Sequence, residues 1–276
     1  MPRVAVLDTT VQIDRRKGRG RRDAVESLLS GFAETIATGI AMVEFKAVLI
    51  QECIFIHNQL RRAGSRFTRV RDAISEKQHP QAKLRSHIFN NLIILAGSSF
   101  ELTDEEDCKL AMKARLKLEN TIPELYLWFR DTSATVFLNN SRIRCDRAKE
   151  PPKKDGVAFA VNLPRCRRGK NKTCNAEELV RQHWPIIKAA MPIFDPADDS
   201  VRQLIAQQQV LDAVVADPKF EMSVEDCRRA GDSLICVEVF NIATHSVSTN
   251  ARDWSVLSPA ANMEFVPVTY PEEASR

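Results

Sequence analysis

The sequence predicts an α/β protein with a central parallel sheet flanked by helices, and three observations predict it. The chain opens with a short apolar run, Val4 to Leu7, that ends at Asp8. The stretch from Ala24 to about Leu60 has helical spacing, with Ile40, Val43, Ala47, Ile50 and Ile54 recurring every three or four residues. Near the C-terminal end, His245 to Ser248 and Met263 to Val268 read as strands around a helical turn at Ala251 to Trp254. Strands that alternate with helices imply parallel pairing with both sheet faces covered.

Taken in order, Val4 to Leu7 reads as a buried strand because it is short, apolar and followed by Asp8-Thr9-Thr10. Glu44 rides beside the apolar stripe of the long helical stretch. Ile88 to Ala96 is an apolar segment whose period fits helix or strand. Thr103 before Asp104, Glu105, Glu106 and Asp107 marks a helix start, running to about Leu118, and Pro123 opens a mixed segment through Leu138. From Asn139 to about Asn175, paired Asn, Pro, Lys and Arg residues with few apolar anchors predict a long loop or small inserted element. Helical patterning resumes at Ala176 to Ala190 and Asp199 to Ala216. Ser223-Val224-Glu225-Asp226 resembles a capping box and leads into a helix carrying Gly231-Asp232-Ser233. Asn250 is placed to cap the turn at Ala251 to Trp254.

Composition is close to the globular average, 44% hydrophobic and 28% charged, which excludes disorder throughout. No apolar run approaches the ~20 residues a membrane helix needs, and the first apolar run reads as a strand rather than a signal peptide. Seven cysteines without disulfide-like clustering fit free thiols and a cytoplasmic location. The net charge of +4 is unevenly placed: residues 141–182 hold twelve Lys/Arg against five Asp/Glu, a balance of +7 that leaves −3 for the rest. A second basic run follows the first strand, at Arg15, Arg16, Lys17, Arg19, Arg21 and Arg22. Such runs serve either as solvated surface or as phosphate contacts.

The acids carry the chemistry. In an open parallel sheet, ligands gather at the C-terminal ends of the strands. Asp8 ends the first strand and Asp253 follows the strand at 245–248, while Glu44 and Asp232 lie in apolar helical stretches where a lone carboxylate is costly to bury. Four such acids brought together repel unless divalent cations lie between them, and hard oxygen donors suit Mg²⁺ or Mn²⁺.

The segments around these acids resemble PIN-like nucleases. Val4-Ala5-Val6-Leu7-Asp8-Thr9-Thr10-Val11 is similar to the opening strand of PIN domains, and Thr38 to Phe45 resembles the helix bearing their second acid. Gly231-Asp232-Ser233-Leu234-Ile235 resembles the third-acid helix, and Ser248-Thr249-Asn250-Ala251-Arg252-Asp253-Trp254 resembles the closing Thr-x-Asn-x-x-Asp-Phe segment. The likeness covers about the first 60 and last 55 residues, in a chain about twice the usual length of such a domain. It implies one PIN-like three-layer domain over residues 1–276, with a core of about 1–75 and 190–270 and a basic, irregular central insertion of about 80–190. It also implies a metal-dependent endoribonuclease, toxin-like in kind. Asp8 and Asp232 would be the principal metal ligands, Glu44 and Asp253 would hold a second ion or orient water, and Thr9 and Asn250 would support them. Single-stranded or structured RNA would contact Arg15, Arg16, Arg165, Arg167, Arg168, Lys170 and Lys172. An antitoxin-like protein and a second copy of the chain complete the partners it implies.

Other readings are weaker. A haloacid-dehalogenase-type phosphatase needs a second Asp two residues after the first, where this chain has Thr10. A module that binds RNA or protein without cutting has no need of clustered carboxylates. Cys145, Cys166 and Cys174 with His183 lack the close pairing of zinc ligands. Tyr126, Trp128, Phe129 and Phe137 fit a core better than a base-stacking surface.

Overall fold

The structure, a computed structural model, describes residues 2–17, 19–62, 66–75, 84–90, 103–138, 142–156, 158–160 and 172–270. The chain forms two compact units, one of residues 1–44, 129–150 and 163–276, the other of residues 45–128 and 151–162.

The first unit is built on a five-stranded sheet in the order β3-β2-β1-β6-β7. These strands are β1 (Val4–Leu7), β2 (Glu34–Ala37), β3 (Val136–Phe137), β6 (His245–Ser248) and β7 (Glu264–Pro267). Every pairing in it is parallel, with Ala5 opposite Thr35 on one side and His245 on the other. As the middle strand, β1 is buried on both faces, so Ala5, Val6 and Leu7 are all apolar and fully covered. Ala5 and Leu7 join Val11, Val25, Leu29, Val247, Val268 and Tyr270 in one core layer. Those partners come from α1 (Thr9–Lys17), α2 (Arg19–Leu29) and the sheet's C-terminal half. The expected α/β architecture, a parallel sheet flanked by helices, is what the chain adopts.

The remaining helices of this unit are α3 (Gly39–Phe45), whose last residue opens the second unit, α8 (Asp146–Lys149), α9 (Ala176–Ala189), α10 (Arg202–Ala216), α11 (Val224–Arg229), α12 (Gly231–Val239) and α13 (Ala251–Ala260). Ser223 and Asp226 form a reciprocal capping box, as the sequence predicts. The helix it starts ends at Arg229, and α12 begins afresh after Ala230, so Asp232 sits in a first turn rather than mid-helix.

The second unit contains α4 (Gln51–Arg62), α5 (Phe67–Ser75), α6 (including residues 84–90), most of α7 (Asp104–Thr132), and a hairpin of β4 (Lys153–Asp155) with β5 (Ala158–Ala160). Asn58 on α4 donates to the Phe159 carbonyl at 2.9 Å and anchors that hairpin. Thr103 and Glu106 cap α7 reciprocally, which accounts for its acidic first turn. The helix then continues through Pro123 to Thr132, beyond the break predicted near Leu118.

Three boundaries differ from expectation. The stretch from Ala24 to Leu60 is not one helix: β2 lies inside it, four residues long and too short to disturb a helical count. Ala47 is exposed rather than part of the apolar stripe, because Lys46–Ile50 forms a π-turn, which shifts the register of every following residue. The units divide at 44/45, 128/129, 150/151 and 162/163, not near 80 and 190. The physical cause is that residues 129–150 return to the main sheet through β3, and α9 packs on α10 and α12.

Candidate active site

Asp8 straddles strand and helix. Its N–H donates to the Val247 carbonyl of β6 at 3.1 Å, and its own carbonyl accepts the first α1 bond from Gln12 at 3.3 Å. The side chain therefore leaves the sheet at its C-terminal edge, between β1 and β6. Its Oδ2 accepts from Ser248 Oγ at 2.6 Å and Thr10 Oγ1 at 2.5 Å. Thr9, the next residue, donates to Glu44 Oε2 at 2.6 Å and brings the acid of α3 alongside.

Glu44 in turn presses on the start of α12. A Cβ added at Gly231 would lie 1.8 Å from Glu44 Oε1, so the residue before Asp232 must be glycine if Glu44 is to keep this position. Asn250, which follows β6, joins the last two acids: its Nδ2 donates to Asp232 Oδ2 at 3.1 Å and to Asp253 Oδ2 at 3.2 Å. It occupies the N-cap position of α13, yet its side chain makes no cap bond and serves the acids instead.

The electrostatics follow from this gathering. Burial pushes the Asp8 carboxyl above its ordinary range, partly offset by the Ser248 and Thr10 hydroxyls. Burial and the charge of Asp8 push Glu44 up to about 7, against the Thr9 bond. Asp232 is raised well above its ordinary value, first by burial and then by Asp8, Glu44 and Asp253 together. Asp253 is fully buried, and Arg252 is the cation placed on it, with Nε 2.8 Å from Oδ1. All four predicted acids thus meet at one sheet edge, each felt by at least one other.

Comparison with protein-family models, curated proteins and solved structures returns no match. The site must speak through its own chemistry.

As the side chains stand, no three or more His, Cys, Asp or Glu residues among those described are disposed to hold a metal ion. The donor chemistry nevertheless fits a hard divalent cation: four carboxylates gather with Arg252 paired to one of them, and burial, helped by neighbouring charge, drives Glu44 and Asp232 toward protonation. Each carboxylate accepts from hydroxyls, amides or Arg252, contacts that a cation would have to share or replace.

The predicted nucleic-acid contacts are placed differently. Arg165, Arg167, Arg168 and Lys170 lie outside the described residues, as does Cys166. Arg15, expected at a phosphate surface, is buried and turned inward: it pairs with Glu26 at 2.8 Å and donates to Gln12 and the Ser133 carbonyl. The basic run lies on α1 and the start of α2, where Arg15 is buried while Arg21 and Arg22 are exposed. Arg16 is partly buried on the same helix. Lys172 pairs with Glu177 at 2.6 Å. Cys145 and Cys174 are partly buried, with burial lifting the Cys174 thiol to about 11. His183 packs against the Phe240 ring.

Sequence reasoning missed several members of the site. Ser248 and Thr10 orient Asp8, and Gly231 makes room for Glu44. Buried Gln207 of α10 accepts from Ser233 N at 3.0 Å and reaches Asp253 at 3.4 Å. Its signal was a polar amide at helical spacing from Leu204 and Val210. Arg252 lay within a quoted motif, but its contact depends on the turn into α13.

Proposed function

We propose that this chain is a metal-dependent endoribonuclease of the PIN-like kind, hydrolysing RNA phosphodiester bonds with Mg²⁺ or Mn²⁺ held by Asp8, Glu44, Asp232 and Asp253. The observation that carries the reading is the convergence of four carboxylates from distant segments at the C-terminal edge of a parallel sheet, with Arg252 paired to Asp253. Structural acids do not need one another; acids that hold cations do.

The bound metal would supply a water of lowered pKa and stabilise charge on the attacked phosphate. The chain's own residues set the stage for that. Ser248 and Thr10 fix the Asp8 carboxylate at the strand end, and Thr9 holds Glu44. Asn250 links Asp232 and Asp253 through one amide, which donates to an oxygen of each. Arg252, with its side chain 48% exposed, stands at the rim where a substrate phosphate would arrive.

A phosphatase of the haloacid dehalogenase type has no support at Thr10, whose hydroxyl bonds to Asp8 where that chemistry needs a second carboxylate. The alternative is a module that binds RNA or protein without cutting. Labelled single-stranded RNA incubated with Mn²⁺ or with EDTA separates the two. The nuclease reading expects fragments only with metal; intact RNA in both arms would overturn it.

A further inference from the structure

Beside the acid cluster lies a cavity of about 300 Å³, lined by Thr10, Asp14, Arg21, Thr249, Val268 and Tyr270. We infer that it receives one unpaired nucleobase of a single-stranded RNA, the base next to the phosphate presented to the acids. The inference rests on the proposed nuclease reading for its substrate class and adds the place where that substrate is read.

Position is the first argument. Thr10 belongs to both places: its hydroxyl donates to Asp8 Oδ2 at 2.5 Å and accepts from the Thr249 N–H at 3.3 Å. Thr249 itself lies between Ser248 and Asn250, which hold Asp8 and the Asp232–Asp253 pair. A ligand in the cavity is therefore one residue away from the carboxylates.

Charge decides what kind of ligand it is. The cavity's cation, Arg21, is already paired with the Asp14 carboxylate at 3.0 Å, and Asp14 also accepts from the Tyr270 hydroxyl. A phosphate entering here would face a neutralised guanidinium beside a carboxylate, a poor anion site. A base suits it better. The Arg21 guanidinium carbon lies 4.4 Å from the centroid of the Tyr270 ring, so the wall is a cation on an aromatic face, with Val268 as an apolar neighbour. Tyr270 is buried beneath the cation, so the half-exposed Arg21 guanidinium plane is the surface on which a base would stack, with the Thr10 and Thr249 hydroxyls beside it as acceptors. The volume matches the small end of ligand pockets, which admits a base and excludes a duplex.

The test uses the full chain in EDTA, so that binding is read without cleavage. Short single-stranded oligoribonucleotides carry one fluorescent 2-aminopurine, moved position by position. The inference expects one position whose fluorescence changes on binding, and an abasic residue there to weaken binding about tenfold. Arg21→Gln, on a residue whose side chain is 44% exposed, should weaken the intact RNA by a similar factor and make it indifferent to the abasic site. Tyr270→Phe, which keeps the ring, should bind within about twofold of wild type. Absence of RNA binding, absence of a preferred position, or equal affinity for free 2-aminopurine riboside would overturn the inference. Should Arg21→Gln melt early, the abasic series on wild type decides alone. The nuclease reading fails separately, by RNA that binds in this way yet stays intact with Mn²⁺.

Discussion

The two units treat buried acids differently. In the second, Glu52 is buried against Arg85, whose Nη2 lies 3.3 Å from Oε1, and Glu119 meets Lys154 at 2.9 Å and His57 at 3.4 Å. Asp107 takes both the N–H and the hydroxyl of Thr68. Each carboxylate there has a donor or cation of its own. In the first unit four carboxylates face one another, and Arg252 is the cation set among them. The acids of the second unit are compensated one by one, while those of the cluster are left largely to one another, the pattern expected under the proposed function if a cation completes them.

The largest expected effect separates these roles in activity. Asp8→Asn keeps the shape of the side chain and removes its charge, so metal-dependent RNA cleavage should fall at least about a hundredfold while the far-ultraviolet spectrum is unchanged. Wild-type turnover by this variant would remove Asp8 from the chemistry. The next contrast is in stability. Arg85→Ala strands Glu52 and should cost about 3–5 kcal/mol in denaturant unfolding. Asp232→Asn removes a carboxyl that its neighbours resist, so the metal-free variant should melt no lower than wild type. A loss comparable to that of Arg85→Ala would show the cluster to be a structural network after all.

Another buried acid of the first unit lies outside the cluster and sharpens the contrast by pH. Glu238 of α12 is fully buried, neither oxygen has a well-formed hydrogen bond, and burial pushes it up to about 8, against backbone N–H groups of Gly39, Ile143 and Ile40. Its folded value is raised from 4.5, so its contribution to stability is complete below that value and is lost as pH rises through about 8. Glu238→Gln should therefore melt higher than wild type near pH 8.5 and show a flatter profile between about pH 5 and 8, with the difference on the order of 2–4 kcal/mol at the alkaline end. Parallel melting curves for the two proteins across that range would contradict the assignment.

The smallest effect is at Gly231. Alanine is the better helix former by about 0.5–1 kcal/mol, but its Cβ would displace Glu44. Gly231→Ala should leave the melting temperature within a few degrees and lower cleavage, because Glu44 loses its place beside Asp232. Unchanged cleavage would free Glu44 from the mechanism.

Much of this was legible in the residues. The β1 strand shows because it is short, apolar and ends at an acid, and Glu44 and Asp232 stand out because carboxylates in apolar stretches need a reason. Gly231 was legible only as part of a motif; its packing against Glu44 depends on two segments far apart in sequence. β2 was hidden because Thr35, Ile36 and Ala37 continue a helical count on either side. The inward turn of Arg15 was hidden because a basic run looks alike whether its guanidiniums meet solvent or Glu26. The cavity beside the acids is assembled from α1, α2 and the residues that follow β6 and β7, a juxtaposition no local pattern encodes.

Calorimetric titration of Mn²⁺ tests most directly whether the four acids take up a divalent cation. Glu44, raised to about 7 by burial, and Asp232, raised well above its ordinary range by burial and its acidic neighbours, hold protons that a cation must displace. Wild type should therefore bind Mn²⁺ with measurable proton release near pH 6.5, seen as heats that change with the buffer's ionisation enthalpy. Affinity should rise by about tenfold per pH unit for each proton released. Asp8→Asn should lose both signals. Absence of binding at millimolar Mn²⁺ across that pH range, or binding that Asp8→Asn leaves intact, would contradict the claim.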